Sequence, residues 1–68
     1  MQSGIVKSWD SQRGFGFIVA DDEEELFVNV NDIHPSVQPK RLREGQHVRF
    51  DVRSDMKGDR AINVRVQR

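Results

Sequence analysis

The 68-residue sequence contains no cysteine, and its longest uninterrupted apolar run is the four residues FIVA at 17–20. Without cysteine the chain forms neither a disulfide framework nor a cysteine-ligated zinc site, so nothing indicates an oxidising compartment. A run of four apolar residues is too short to cross a bilayer as a helix or to form the apolar centre of a signal peptide. We therefore predict a cytoplasmic domain that makes no membrane contact.

The sequence also lacks a net charge, because 11 basic and 11 acidic residues cancel. The two signs are nevertheless separated along the chain. Residues 1–39 hold 2 basic and 7 acidic residues, a balance of −5, and residues 40–68 hold 9 basic and 4 acidic residues, a balance of +5. A uniformly basic surface, the usual mark of a nucleic-acid-binding protein, is thereby excluded, so any such binding must use a local patch.

Helical spacing of apolar residues is missing throughout the chain, and proline occurs only twice. Instead, five short segments rich in apolar residues are bounded by turn-forming residues, which predicts five strands. These segments are 4–9, 14–20, 25–30, 47–52 and 61–66. Since a sheet this small must close on itself or expose its edges, we predict a single domain over 1–68 with an all-β fold, a five-stranded antiparallel barrel.

Aromatic residues are scarce, with four phenylalanines, one tryptophan and no tyrosine. Three of the phenylalanines, Phe15, Phe17 and Phe27, fall in phase with polar neighbours, and Gly16 keeps the inner side of its strand narrow. Phenylalanine is most often a core residue. The opposite strand faces already provide enough apolar side chains for a small core: Val6, Ile18, Leu26, Val28, Val48, Phe50, Val52, Ile62, Val64 and Val66. We therefore predict that the three rings form one solvent-facing patch, which suits stacking on nucleic-acid bases.

The sequence around these rings resembles a known family. GIVKSWDSQRGFGFI is similar to the opening motif of bacterial cold shock domains, roughly G-x-V-K-W-F-N-x-x-K-G-F-G-F-I, and LFVNV is similar to their second motif, V-F-V-H-F. The resemblance continues through REGQHVRFDV and KGDRAINV, so it covers nearly the whole chain. It implies an oligonucleotide-binding (OB-fold) barrel that binds single-stranded RNA or DNA. It also implies that the stacking platform is Phe15, Phe17 and Phe27, and that Lys7 and Arg13 contact phosphate.

The chain departs from this family pattern at several positions of the platform. Ser8 stands where the family has tryptophan, and Asn29 and Val30 replace histidine and phenylalanine. Strict alternation places Trp9 on the face of Lys7, where we expect it to replace part of the missing ring. Asn29 is expected to hydrogen-bond a base edge through both its donor and its acceptor. Loss of stacking predicts weaker binding than a full platform provides.

Other kinds of function fit the sequence less well. RGFGFIVA also approximates an aromatic motif of RNA recognition modules, but those modules need two helices that this pattern does not predict. The acidic run 21–25 lacks the alternating ligands of a calcium loop, and His34 and His47 are not spaced with partners for catalysis or metal binding. We therefore predict no enzymatic activity, no metal and no cofactor.

The preferred prediction is thus a monomeric domain whose partner is single-stranded RNA or DNA, with low sequence specificity and an RNA-chaperone-like role. Lys57 is a third candidate phosphate contact beside the sheet, whereas Lys40, Arg41 and Arg43 are interpreted as a solvated loop. The zero net charge and the missing rings leave one alternative open. In that alternative, a degenerate cold-shock-like domain binds protein as part of a longer polypeptide.

Overall fold

A computed structural model describes residues 1–56 and 58–67 of the chain. Within these residues, the elements are β1 Gln2–Asp10, β2 Phe15–Ala20, β3 Glu25–Asn29, a 3-10 turn Val30–Asp32, β4 His47–Asp55 and β5 Gly58–Val66. The all-β class and the five predicted strands are confirmed, although β4 and β5 are longer than predicted at the ends that form their shared hairpin. No helix in the described ranges is long and apolar enough to cross a membrane.

The five strands close into a barrel in the order β1, β2, β3, β5, β4. Neighbouring strands are antiparallel except β3 and β5, which run parallel with Phe27 opposite Arg60. The prediction of an antiparallel barrel is therefore correct except at this one pair. The long connection after β3 explains the exception, because it carries the chain across to β1, where β4 pairs, and the following hairpin brings β5 back alongside β3.

A β-bulge in β1 changes which of its side chains face the interior. Val6 lies opposite Ile18, but Ser8 lies opposite Phe17, so Lys7 is an extra residue in this strand. Because neighbouring side chains of a strand point to opposite faces, one extra residue reverses the alternation of every residue beyond it. In the second half of β1, the side chains that strict alternation would place outside therefore point into the barrel.

A second bulge in β5 has the same effect. Asn63 adopts a φ of 52°, a left-handed conformation that asparagine tolerates better than most residues. The pairing of β5 with β4 shifts by one residue at this point. The predicted alternation is consequently wrong before the bulge, where Ala61 is buried and Ile62 is partly exposed.

The core is built from apolar side chains of all five strands and from two residues outside them. Ile33 follows the 3-10 turn and Leu42 lies in the long connection, and both are buried. Three predicted core residues, Val52, Ile62 and Val66, are only partly buried. The other predicted core residues are buried as expected: Val6, Ile18, Leu26, Val28, Val48, Phe50 and Val64. Phe50 is thus the only one of the four phenylalanines inside the barrel.

Candidate nucleic-acid interface

Three phenylalanine rings share one outer face of β2 and β3. Phe17 lies directly opposite Phe27, and Phe15 lies opposite Asn29. The ring centroids of Phe15 and Phe27 are 5.8 Å apart, and those of Phe17 and Phe27 are 5.9 Å apart in an edge-to-face arrangement. Phe17 is 37% exposed, and the other two rings are half-buried. The predicted solvent-facing patch is confirmed, and we call these three phenylalanines the aromatic face.

Gly16 allows β1 to lie close beneath this face. A Cβ atom at Gly16 would lie 2.1 Å from the carbonyl oxygen of Ser8 and 2.9 Å from the Cα atom of Trp9. Both contacts are with backbone atoms, so any side chain at this position would force β1 and β2 apart. The narrow inner side predicted for this strand is therefore required by the close approach of β1.

Trp9 is not part of the aromatic face. Because of the bulge at Lys7, Trp9 lies opposite the inward-facing Gly16 and packs, half-buried, against the core. Its indole Nε1 is buried and has no hydrogen-bond partner among the described residues. The prediction that Trp9 shares the face of Lys7 and replaces a missing ring is therefore wrong, since alternation does not continue across the bulge.

A groove of about 920 Å³ lies beside Phe17 and Phe27, between these rings and the hairpin that joins β4 to β5. Its lining is completed by Asp55, Met56, Gly58, Asp59 and Arg60. The Met56 side chain is fully exposed. Apolar walls with two carboxylates at the edge accept an uncharged base more readily than a phosphate. Sequence reasoning missed Met56 and Arg60, because alternation within one strand does not indicate that β5 lies beside β3.

Arg60 and Asp32 form a brace between β5 and the turn that ends β3. The Arg60 guanidinium donates a hydrogen bond to the Asp32 carboxylate, which also accepts one from the Asn29 backbone N–H at 3.2 Å. The side chains of Asp32 and Arg60 are only 13% and 30% exposed. This hydrogen bond and the negative charge of Asp32 raise the pKa of Arg60. The brace holds β5 against the edge of the aromatic face.

The Asn29 side chain is partly used in building this same turn. Its Oδ1 accepts a hydrogen bond from the Asn31 backbone N–H at 3.0 Å and so caps the turn. The expectation that Asn29 offers a base both a free donor and a free acceptor is corrected accordingly. The capping box gives the same oxygen the Asp32 backbone N–H as a second donor, so its two acceptor sites are engaged and the Nδ2 amide hydrogens remain for a base edge.

Two of the three predicted phosphate contacts lie beside carboxylates. The Nζ atom of Lys7 is 3.2 Å from Oε2 of Glu25, and the Nε atom of Arg13 is 3.8 Å from Oδ2 of Asp10. All four side chains are exposed, so both ion pairs are weak and exchangeable. The third predicted contact, Lys57, lies outside the described residues. A phosphate that binds Lys7 or Arg13 therefore competes with a carboxylate of the domain itself.

Comparison with known proteins agrees with this fold. The model of the 'Cold-shock' DNA-binding domain family matches residues 2–67. This chain belongs to that family. It is 45% identical over 64 residues to the cold shock-like protein of Aquifex aeolicus, covering 93% of this chain and 90% of the relative. It is 41% identical over 64 residues to cold shock protein CspC of Bacillus subtilis, covering 94% and 96%. The predicted family is confirmed, and cold-shock domains are nucleic-acid-binding domains.

In this cold-shock domain, the first strand contributes a hydroxyl group to the aromatic face in place of a ring. Ser8, at the family's tryptophan position, lies directly opposite Phe17 and therefore faces the same side. Val30, at a phenylalanine position, lies in the 3-10 turn and packs half-buried against the core. The departures from the family pattern thus lie beside the rings at Ser8 and Asn29 and against the core at Val30, and the three rings themselves are kept.

Carboxylates border the end of the aromatic face nearest the hairpin between β2 and β3. A hydrogen bond and charge repulsion with Asp59 raise the pKa of Glu24. The folded domain therefore holds this proton more tightly than the unfolded chain does, so the pair opposes folding as the pH rises through the pKa of Glu24. We call Glu24, Glu25, Asp55 and Asp59 the acidic rim. Its charge disfavours backbone phosphate at this end of the face.

Proposed function

We propose that this domain binds single-stranded RNA or DNA by stacking bases on the aromatic face. The observation that carries the proposal is the set of three contacting, partly exposed rings on one outer face of the barrel. Stacking on such rings contributes about 1–3 kcal/mol per base, and every base has a face to stack. Binding of this kind is therefore strong enough to hold a strand open, as an RNA chaperone does, and discriminates little between sequences.

The charges around the aromatic face favour binding with few phosphate contacts. Lys7 and Arg13 are the two cations that the family pattern implies as phosphate contacts, and each has a carboxylate partner. The acidic rim borders the rings at the end nearest the hairpin between β2 and β3, and one of its members, Glu25, is the partner of Lys7. We propose accordingly a monomeric, cytoplasmic binding module without catalytic activity, in which stacking provides most of the affinity and phosphate contacts provide the remainder.

The proposal is tested with a fluorescently labelled single strand of about six nucleotides, within the 4–16 that one OB fold covers. Fluorescence anisotropy gives the binding constant at several salt concentrations, and a duplex of the same sequence serves as the control. With about two to three phosphate contacts, log K should fall against log salt with a slope of about −1.4 to −2. The duplex should bind much more weakly, because its bases are already stacked.

Two results would contradict the proposal in different ways. A much steeper slope with the short strand would place the main binding surface on the basic second half of the chain. Absence of binding to single strands even at low salt would favour the protein-binding alternative.

A further inference from the structure

A second charged surface lies on the outer face of β4 and β5, on strands that carry none of the three rings. Arg49 of β4 is directly opposite Arg65 of β5, and both side chains are exposed. His47, also exposed, lies two residues before Arg49 on the same face, and Ser3 of β1 lies opposite Arg49 on the other side. We call Arg49 and Arg65, with His47 beside them, the basic strip.

The cations of the basic strip lack the carboxylate partners found near the aromatic face. Among the described residues, neither Arg49 nor Arg65 forms an ion pair, whereas Lys7, Arg13 and Arg60 all do. Like charges directly opposite each other in a sheet are destabilising. The carboxylate of Asp51, further along β4, is engaged by the N-terminal amine at 3.9 Å and by the Asn63 side-chain amide at 3.3 Å. The strip is thus a site where a bound anion would relieve repulsion.

The bulge at Asn63 creates this juxtaposition. Ala61 is buried, so uninterrupted alternation along β5 would also direct residues 63 and 65 into the barrel. The extra residue at Asn63 turns Val64 inward instead and leaves Arg65 outside, opposite Arg49. The basic strip is therefore a consequence of the specific backbone of this barrel.

The connection after β3 runs from the end of the aromatic face to the basic strip. After β3 and its turn, Ile33 pairs with Val64, and the His34 backbone N–H donates to the Val64 carbonyl oxygen at 2.8 Å. The next residues of that connection, Ser36 to Gln38, line a cavity of about 420 Å³ together with Arg65. A strand that leaves the aromatic face at Asn29 and follows this connection therefore reaches Arg65.

We propose that the basic strip binds the phosphate backbone of a single strand too long for the aromatic face alone. Guanidinium groups suit this partner, because each presents several donors in a fixed geometry that matches phosphate oxygens. This inference rests on the proposed function, since the strand is first held by stacking on the three rings. The two surfaces then act on one ligand in different ways: the rings hold bases, and the strip holds phosphates.

The test compares the natural protein with the double variant Arg49→Gln, Arg65→Gln, using labelled strands of about 6 and about 16 nucleotides. The short strand should bind both proteins equally. For the long strand, the loss of two phosphate contacts should make the salt slope of the variant shallower by about 1.4. Between 50 and 200 mM salt, the ratio of the natural protein's long-strand binding constant to that of the variant should therefore fall about sevenfold. Arg65→Gln alone should give about half of the change in slope.

A matched control removes the same charge elsewhere, with Lys40→Gln and Arg41→Gln in the connection between β3 and β4. If this control lowers long-strand binding as much as the strip variant does, the effect is one of net charge and the basic strip is not a binding site. Equal slopes for the strip variant and the natural protein would overturn the inference alone. Failure of the short strand to bind the natural protein would instead overturn the proposed function.

Discussion

The aromatic face and the basic strip differ in how their side chains meet solvent. On the aromatic face the rings contact one another, and a neighbouring cation such as Lys7 is held by a carboxylate. On the basic strip, two arginines face each other with no ion-pair partner among the described residues. Although the net charge is zero, the stacking groups and the unpaired arginines therefore lie on different strands. Because they are separate, each contribution can be removed without removing the other.

The largest effect is expected when one ring of the aromatic face is removed. Phe17→Ala should weaken binding of a short single strand by about 1–3 kcal/mol, or about 5- to 150-fold, because one ring of the aromatic face is lost. Its cost in the free energy of unfolding should be below the roughly 3–5 kcal/mol of a buried phenylalanine, since Phe17 is 37% exposed. Anisotropy titration and urea unfolding measure the two effects.

Ile5→Ala is the control for this variant. Ile5 is 43% exposed and lies on the outer surface of β1 between Val19 and His47, so it touches neither Phe17 nor its opposite ring in the strand pairing. It should leave short-strand binding unchanged. If Phe17→Ala costs as much stability as a core substitution and leaves binding intact, Phe17 is a packing residue and the aromatic face is not the platform.

The next effect concerns the brace that holds β5, the strand shared by the groove and the basic strip. Asp32→Asn removes the charge from a partly buried hydrogen bond to Arg60 and weakens the cap at Asn29. Hydrogen bonds to charged groups contribute about 1.5–3 kcal/mol, and the partial exposure of this pair reduces the expected loss of unfolding free energy to about 1–2 kcal/mol. Urea unfolding measures it.

Asp51→Asn is the matched control for the brace, since it makes the same change in a more exposed strand carboxylate whose partners among the described residues are the N-terminal amine at 3.9 Å and the Asn63 amide at 3.3 Å. Its cost should stay below about 1 kcal/mol. If the two variants are equally stable, the Arg60 contact is an ordinary surface ion pair and does not hold β5 in place.

The reliability of sequence reasoning differed between strands for a physical reason. In β2 and β3 the pairing is regular from Phe15 to Val19, so alternation located the three rings correctly. In β1 and β5, one extra residue in each strand reversed the alternation, and the orientations of Trp9 and Ile62 were wrong. An asparagine within an apolar run was the available signal for the β5 bulge. Lys7 offers no such signal.

The groove illustrates a second limit, which concerns pairing between distant segments. Arg60 lies beside Phe27 only because β5 returns parallel to β3. The apolar pattern within β3 or within β5 does not indicate that the two strands are neighbours. The Asp32 brace and the exposed Met56 were therefore not predicted. Buried residues in irregular segments, Ile33 and Leu42, were missed for the same reason, since burial there follows from how the connection crosses the barrel.

The smallest effect is expected when Lys7 loses its carboxylate partner, a change that gives the aromatic face an unpaired cation like those of the basic strip. Glu25→Gln removes the carboxylate that holds Lys7 at 3.2 Å, so a phosphate no longer has to displace it. Exposed ion pairs contribute about 0.2–1 kcal/mol, so short-strand affinity should rise about 1.4- to 5-fold. The salt slope should also steepen, by up to about 0.7, because a free Lys7 releases a counterion when it binds phosphate.

Glu23→Gln is the control, because it removes the same charge from the same hairpin while Glu23 forms no ion pair among the described residues. If both variants raise affinity equally with unchanged slopes, the hairpin acts only through its overall negative charge and Glu25 does not compete with phosphate for Lys7.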